Sequence, residues 1–228
     1  MLRHLLSLSF GLVSLVVGSA HASSAATQEL NAALAKTISL KHGAELFHTC
    51  AACHGASGNG SENGDVPRIA GQHFTVIVGQ LVNYRHDARW DIRMEHYAGR
   101  QLLADPQSIA DVAGYISQLS GEQTRNVGDG ELVRHGAAVY SAKCSQCHGP
   151  TGEGSDSARV PRLAGQHYAY LLRQMYDAVD GRRPNFSRSH VRLLAKLQRD
   201  DFVGLADFLS RSEWTGPIAQ VTQLTPEH

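Results

Sequence analysis

Net charge is the first thing this 228-residue sequence lacks: 21 lysines and arginines are balanced by 21 aspartates and glutamates. A chain with no positive excess has no counterion-release drive toward nucleic acid, which excludes that class of partner. Long apolar runs are missing as well. The one short stretch, Leu5 to Gly18, is less than the about 20 residues a spanning helix needs. Strand-like alternation of polar and apolar residues is absent, so the secondary structure is read as helical. Cysteine and methionine are both scarce, at four and three residues. Where those few stand decides the chemistry open to the chain.

The N-terminus has the layout of an export signal. Arg3 and His4 precede the apolar stretch, and Ala20-His21-Ala22 has the small-x-small form read by signal peptidase. Residues 1–22 are expected to be removed, leaving a mature chain from Ser23 with no membrane span; an uncleaved anchor is the alternative. Of the methionines, the mature chain then keeps only Met94 and Met175. In an oxidising compartment four cysteines would ordinarily suggest disulfides. These fall instead as Cys50/Cys53 and Cys144/Cys147, each pair followed at once by a histidine.

The chain is one unit written twice. An offset of 94 carries Cys50, Cys53, His54 and Gly55 onto Cys144, Cys147, His148 and Gly149. The same offset carries Pro67-Arg68 onto Pro161-Arg162, Ala70-Gly71-Gln72-His73 onto Ala164-Gly165-Gln166-His167, and Gln80 onto Gln174. On either side the offset is 93, which pairs His42-Gly43-Ala44 with His135-Gly136-Ala137. The repeat implies two tandem domains, 23–120 and 131–228, joined by a Gly-, Asn- and Asp-containing linker at 121–130. Helices are expected over 44–51 and 137–144, leading into each cysteine motif, and over 74–85 and 168–179. A last helix in each copy is expected from apolar residues at i, i+3, i+4 and i+7: Ile109, Val112, Ala113, Ile116 behind an Asp105 cap and Pro106, and Phe202, Leu205, Ala206, Leu209 behind an Asp200 cap. Units this small bury a modest core and are often completed by a prosthetic group.

Cys-x-x-Cys-His is the mark of covalent c-type haem attachment. The two thiols add across the haem vinyl groups and the adjacent imidazole reaches the iron. A zinc site would need a second ligand pair near each motif, and neither copy supplies further cysteine. A thioredoxin-like redox pair would sit between a strand and a helix, a context missing here. Two covalently bound haem c groups are therefore expected, on Cys50/Cys53/His54 and Cys144/Cys147/His148.

The order Cys-x-x-Cys-His-Gly, Gly-rich loop, Pro-Arg-Ile/Leu-Ala-Gly-Gln-His, then a helix with a central Gln, resembles the dihaem cytochrome c4 family over nearly all of the mature chain. The resemblance implies an all-α fold of two class I cytochrome c domains related by a pseudo-twofold axis, with facing haems. It implies that the Pro67 and Pro161 carbonyls accept from His54 and His148, and that Arg68 and Arg162 meet haem propionates, a solvated role being the alternative for the arginines. It also implies a periplasmic electron carrier whose partners are redox proteins: a donor and a terminal oxidase or reductase, or a dehydrogenase to which it is bound as a dedicated subunit. A dihaem oxidoreductase such as a thiosulfate dehydrogenase is the rival reading; neither motif has an acid–base pair or spare thiol beside it.

The family generally supplies methionine as the second axial ligand, and here the chain departs from it. Met175 answers to Leu81 on an apolar helix face and is read as core packing. The 94-residue offset pairs His96 with His190, each seven residues before a matched leucine. Bis-histidine ligation is thus expected, His54/His96 and His148/His190. Met94 is the alternative to His96, and an open or Lys196-ligated iron the alternative to His190. Imidazole in place of methionine lowers a haem potential. Arg182, Arg183, Arg188, Arg192, Lys196 and Arg199 gather around His190 as a solvated stripe or a docking patch for an acidic partner. His48, His86 and His228 have no counterpart and are read as surface residues, whereas His42/His135 and His73/His167 are read as packing or capping helix starts.

Overall fold

A computed structural model describes residues 17–213, and it is helical throughout, with a single isolated bridge, Ser155–Val160, among the described residues. The apolar stretch of the expected signal lies largely outside the described residues, as does His228. Among the described residues ten helices run in chain order: α1 Val17–Leu34, α2 Leu40–His54, α3 Phe74–Arg85, α4 Ile92–Tyr97 and α5 Pro106–Gln118 in the first half; α6 Val133–Lys143, α7 Ser145–His148, α8 Tyr168–Val179, α9 Arg188–Leu194 and α10 Arg199–Arg211 in the second. No described helix is long and apolar enough to cross a membrane.

Each half is built on one crossing, α2 with α5 in the first and α6 with α10 in the second, and the repeated glycine makes that crossing close. A Cβ on Gly43 would run into the Asp111 carbonyl of α5, and one on Gly136 into the Gly204 carbonyl of α10. The third helix closes the core. Phe47, Ile77, Val78, Val82, Ile109, Val112 and Ile116 bury together in the first half, and Val139, Tyr140, Leu171, Phe202, Leu205 and Leu209 in the second. Met175 packs against the second cluster.

The caps explain where the helices begin. Asp105 accepts from Ser108 N–H at 2.8 Å ahead of Pro106, as its sequence suggests. The second copy differs from expectation: Asp200 lies inside the first turn of α10, and Asp201 reaches back to the Gln198 N–H at 2.8 Å. His135 holds that same Asp201 at 2.7 Å, while in the first half His42 holds the buried Asp111 at 2.8 Å.

Two further departures concern the first half and the join. Helix α1 packs on the core through Ala26, Leu30 and Ala33 and carries the buried Glu29, which accepts from Arg85 at 2.7 Å and pairs with His86 at 2.7 Å. His86 is thus a paired, largely buried residue and not a surface histidine. Residues 121–130 are strapped to both halves. Arg68 donates to Glu122 O, Thr124 Oγ1 meets His167 Nδ1 at 2.5 Å, and the Gly128 and Gly130 N–H groups donate to Asp207 at 2.9 and 2.8 Å.

Candidate functional site

A cavity of about 740 Å³ runs between the two halves and is lined by both Cys-x-x-Cys-His motifs. In the first half α2 carries the whole motif, so Cys50, Cys53 and His54 stand together at its C-terminal end. Helix α7 does the same work for Cys147 and His148. All four thiols are unpaired. Burial pushes Cys50 and Cys144 up to about 11, far from the depressed value of a reactive thiolate.

Behind each histidine the chain makes the same turn. His54 Nδ1 lies 2.9 Å from Pro67 O and His148 Nδ1 lies 3.1 Å from Pro161 O. With the proton held at Nδ1, the opposite ring nitrogen is the lone-pair side that faces a metal. Burial lowers the pKa of both rings and so favours the neutral form a ligand needs. Gly60 and Gly154 close the loops by donating to His54 O and His148 O, each at 2.8 Å. Both have positive φ (78° and 70°), and a Cβ on either would strike the acceptor carbonyl of Pro67 or Pro161. Glycine is therefore required for the proline carbonyl to come this close to the helix end.

The opposite wall differs between halves. His190 is half-buried with its ring centroid 6.1 Å from that of His148, and Phe186 packs on it at 4.8 Å. Both rings line the same cavity, where they would be able to hold a metal ion between them. In the first half the cavity is lined by Met94, whereas His96 is exposed and takes no part in the lining. The reason is a shift in helix register. Asp91 caps α4 and accepts from Met94 N–H at 3.3 Å; Ser187 caps α9 and accepts from His190 N–H at 3.2 Å. Met94 and His190 each stand three residues after their cap, so they are the structural counterparts. His96 is two residues further on, past the cavity wall. The repeat offset that pairs His96 with His190 ignores two residues gained or lost between the halves. Asp91 and Ser187, both good capping residues, are the sequence signal of that slip.

Between the halves lies a set of buried cations. Arg68 is 2% exposed, and burial together with the nearby Arg162 charge lowers its pKa to about 10. Arg89 donates to Gln80 Oε1 at 2.6 Å, Tyr170 OH at 2.6 Å and Gln174 Oε1 at 2.9 Å. Arg183 donates to the same Gln174 oxygen at 2.8 Å and lies over the Phe186 ring. Burial, then Arg89, brings Arg183 down to about 10, and its Nε is buried without a partner. Neither Arg89 nor Arg183 forms an ion pair among the described residues. Sequence reasoning misses this pair although the offset of 94 relates them, because Arg183 is grouped there with the exposed arginines around it. Buried cations in a cavity with two thiol–imidazole motifs fit a prosthetic group that is apolar, thiol-attached and acidic at one edge, as haem is.

Known proteins agree with that fit. The cytochrome c family model matches residues 40–120 and 133–210, one match per half. Cytochrome c4 of Stutzerimonas stutzeri is 30% identical over 178 residues, covering 70% of this chain and 82% of that protein. The thiosulfate dehydrogenase electron acceptor of Stutzerimonas stutzeri strain A1501 is also 30% identical, over 68% of this chain and 74% of its own. The crystal structure of reduced recombinant cytochrome c4 from Pseudomonas stutzeri superposes with a TM-score of 0.68 at 26% identity, covering 78% of this chain and all of that one. Two repeated haem-attachment motifs, a helical pair of domains facing one another and relatives of the same order place this chain in the cytochrome c4 family of dihaem electron-transfer proteins.

Proposed function

We propose that this cytochrome is an exported, periplasmic electron carrier whose two haems differ in their second ligand: His54/Met94 in the first half and His148/His190 in the second. Cys50/Cys53 and Cys144/Cys147 would hold the two haems covalently, and Arg68, Arg162, Arg89 and Arg183 would face their propionates. Bound there, each haem supplies reversible one-electron chemistry. The observation that carries the ligand assignment is the matched position of Met94 and His190 three residues after the Asp91 and Ser187 caps.

The protein's part is to hold neutral imidazoles, keep water away and set the two potentials apart. Methionine favours ferrous iron and a higher potential, imidazole a lower one. An electron taken up by the second half then runs downhill to the first. The exposed Arg188, Arg192 and Lys196, on or just after the helix that carries His190, favour an acidic donor on that side. The likeness to a thiosulfate dehydrogenase electron acceptor favours a dehydrogenase as that donor. With two ligands to each iron there is no open position for a substrate, which supports a carrier and not an oxidoreductase.

Optical spectra of three single variants test the assignment. Met94→Ala and His190→Ala each turn one haem high-spin and able to bind carbon monoxide when reduced, while His96→Ala leaves both low-spin. Loss of a ligand in His96→Ala with Met94→Ala unchanged would reverse the assignment for the first haem.

A further inference from the structure

The two halves grip each other at the loops that support the proximal histidines. Gln166 Oε1 accepts from Arg68 N–H at 3.0 Å, and its amide donates to Arg68 O at 2.8 Å. Gln72 mirrors it, accepting from Arg162 N–H at 2.9 Å and donating to Arg162 O at 3.0 Å. Both glutamines are buried. The neighbouring histidines reach the other end of the same loops: His167 Nε2 lies 2.7 Å from Asn59 O and His73 Nε2 lies 2.8 Å from Glu153 O. Asn59 and Glu153 directly precede Gly60 and Gly154, and Arg68 and Arg162 directly follow Pro67 and Pro161. Each Gln–His pair therefore brackets, from the opposite half, the loop whose proline carbonyl accepts from the proximal imidazole.

We infer that Gln72 and Gln166 are cross-domain positioning residues: Gln166 fixes the Pro67 carbonyl against His54 and so tunes the first haem, and Gln72 fixes Pro161 against His148 and tunes the second. A residue whose two backbone polar groups are both tied to one buried amide has little freedom to swing its preceding carbonyl. That carbonyl is what orients the imidazole and raises its basicity. A weaker bond makes the ring a poorer donor to iron, which favours the ferrous state. The effect of each glutamine is thus felt in the other domain, so that any partner-induced shift of the interface changes both potentials together. This rests on His54 and His148 being the proximal ligands.

The test is a pair of uncharged variants of the full holoprotein, Gln166→Leu and Gln72→Leu, followed by potentiometry and by paramagnetic NMR, which resolves the haems individually. Gln166→Leu is expected to raise the first haem's midpoint and speed hydrogen exchange at His54 Nδ1, leaving the second haem in place. Gln72→Leu is expected to do the reverse. Because the two variants are tested separately, either one carries the test if the other fails to assemble. The inference is overturned if the affected haem lies in the same half as the substitution, if both haems move equally, if neither moves, or if the midpoint falls, as water entry would make it do. Failure of the ligand reading is distinguishable, since His54 and His148 would then show no hyperfine-shifted Nδ1 signal in the unsubstituted protein.

Discussion

On the proximal side the halves of this protein are nearly superimposable in chemistry. Each has a Cys-x-x-Cys-His helix end, a glycine beneath a proline carbonyl, and an imidazole held to that carbonyl at 2.9 or 3.1 Å. On the distal side they part. A short helix capped by Asp91 brings Met94 to the cavity in one half, and a short helix capped by Ser187 brings His190 in the other. The contrast shows which features one fold must keep and which it can vary. Covalent attachment and imidazole orientation depend on backbone geometry, down to glycines that no other residue replaces. The residue facing each proximal histidine across the cavity is a single side chain on a one- or two-turn helix, and neither Met94 nor His190 belongs to the core cluster of its half.

The largest effect expected from breaking this contrast is His190→Met. Axial ligands command haem potentials over about 0.8 V, and exchanging imidazole for thioether should raise the second midpoint by a sizeable fraction of that range, closing the gap between halves. Spectroelectrochemistry reads this as two waves merging. The converse, Met94→His, should lower the first midpoint and also merge the waves.

A smaller effect concerns the glycine crossings. Gly136→Ala forces α6 off α10 where backbone meets backbone, and overpacking of this kind costs about 1–3 kcal/mol. Gly43→Ala does the same to α2 and α5. Thermal melts followed by haem absorbance should show each variant loosening its own half first.

Comparable in size is the acid sensitivity that only the first half derives from α1. Burial would raise the Glu29 carboxyl, but hydrogen bonds with His86 and Arg85 and the Arg85 and Arg100 charges outweigh it and hold the pKa below its ordinary 4.5. A depressed folded value means that the Glu29 contribution is complete above 4.5 and is lost as pH falls through the folded pKa. Glu29→Gln should therefore cost about 1–3 kcal/mol at neutral pH and flatten the stability profile of the first half in acid. Melting curves taken from neutral pH downward check both points.

Most of the proximal side is legible in the sequence because it repeats in strict register. The offset that pairs Cys50 with Cys144 also pairs the prolines, the arginines and the Gln-His dipeptides, and the expected helices over 74–85 and 168–179 match α3 and α8 to the residue. The distal side misleads for the same reason. The register slips by two residues before α9, so a histidine pair that is coincident in sequence is not coincident in space. Helix α1 carries no repeat and begins inside the expected signal, which hides it. The cross-domain bonds of Gln72 and Gln166 are invisible in sequence because a repeat announces which residues matter and not what they touch.

The measurement closest to the unequal pair of haems is a redox titration of the whole protein, followed by optical and magnetic spectroscopy that separates methionine-ligated from bis-imidazole haem. Two resolved midpoints are predicted, the higher belonging to a His/Met haem in the first half and the lower to a His/His haem in the second. Two haems with the same ligand signature, or a bis-imidazole haem at the higher potential, would contradict it.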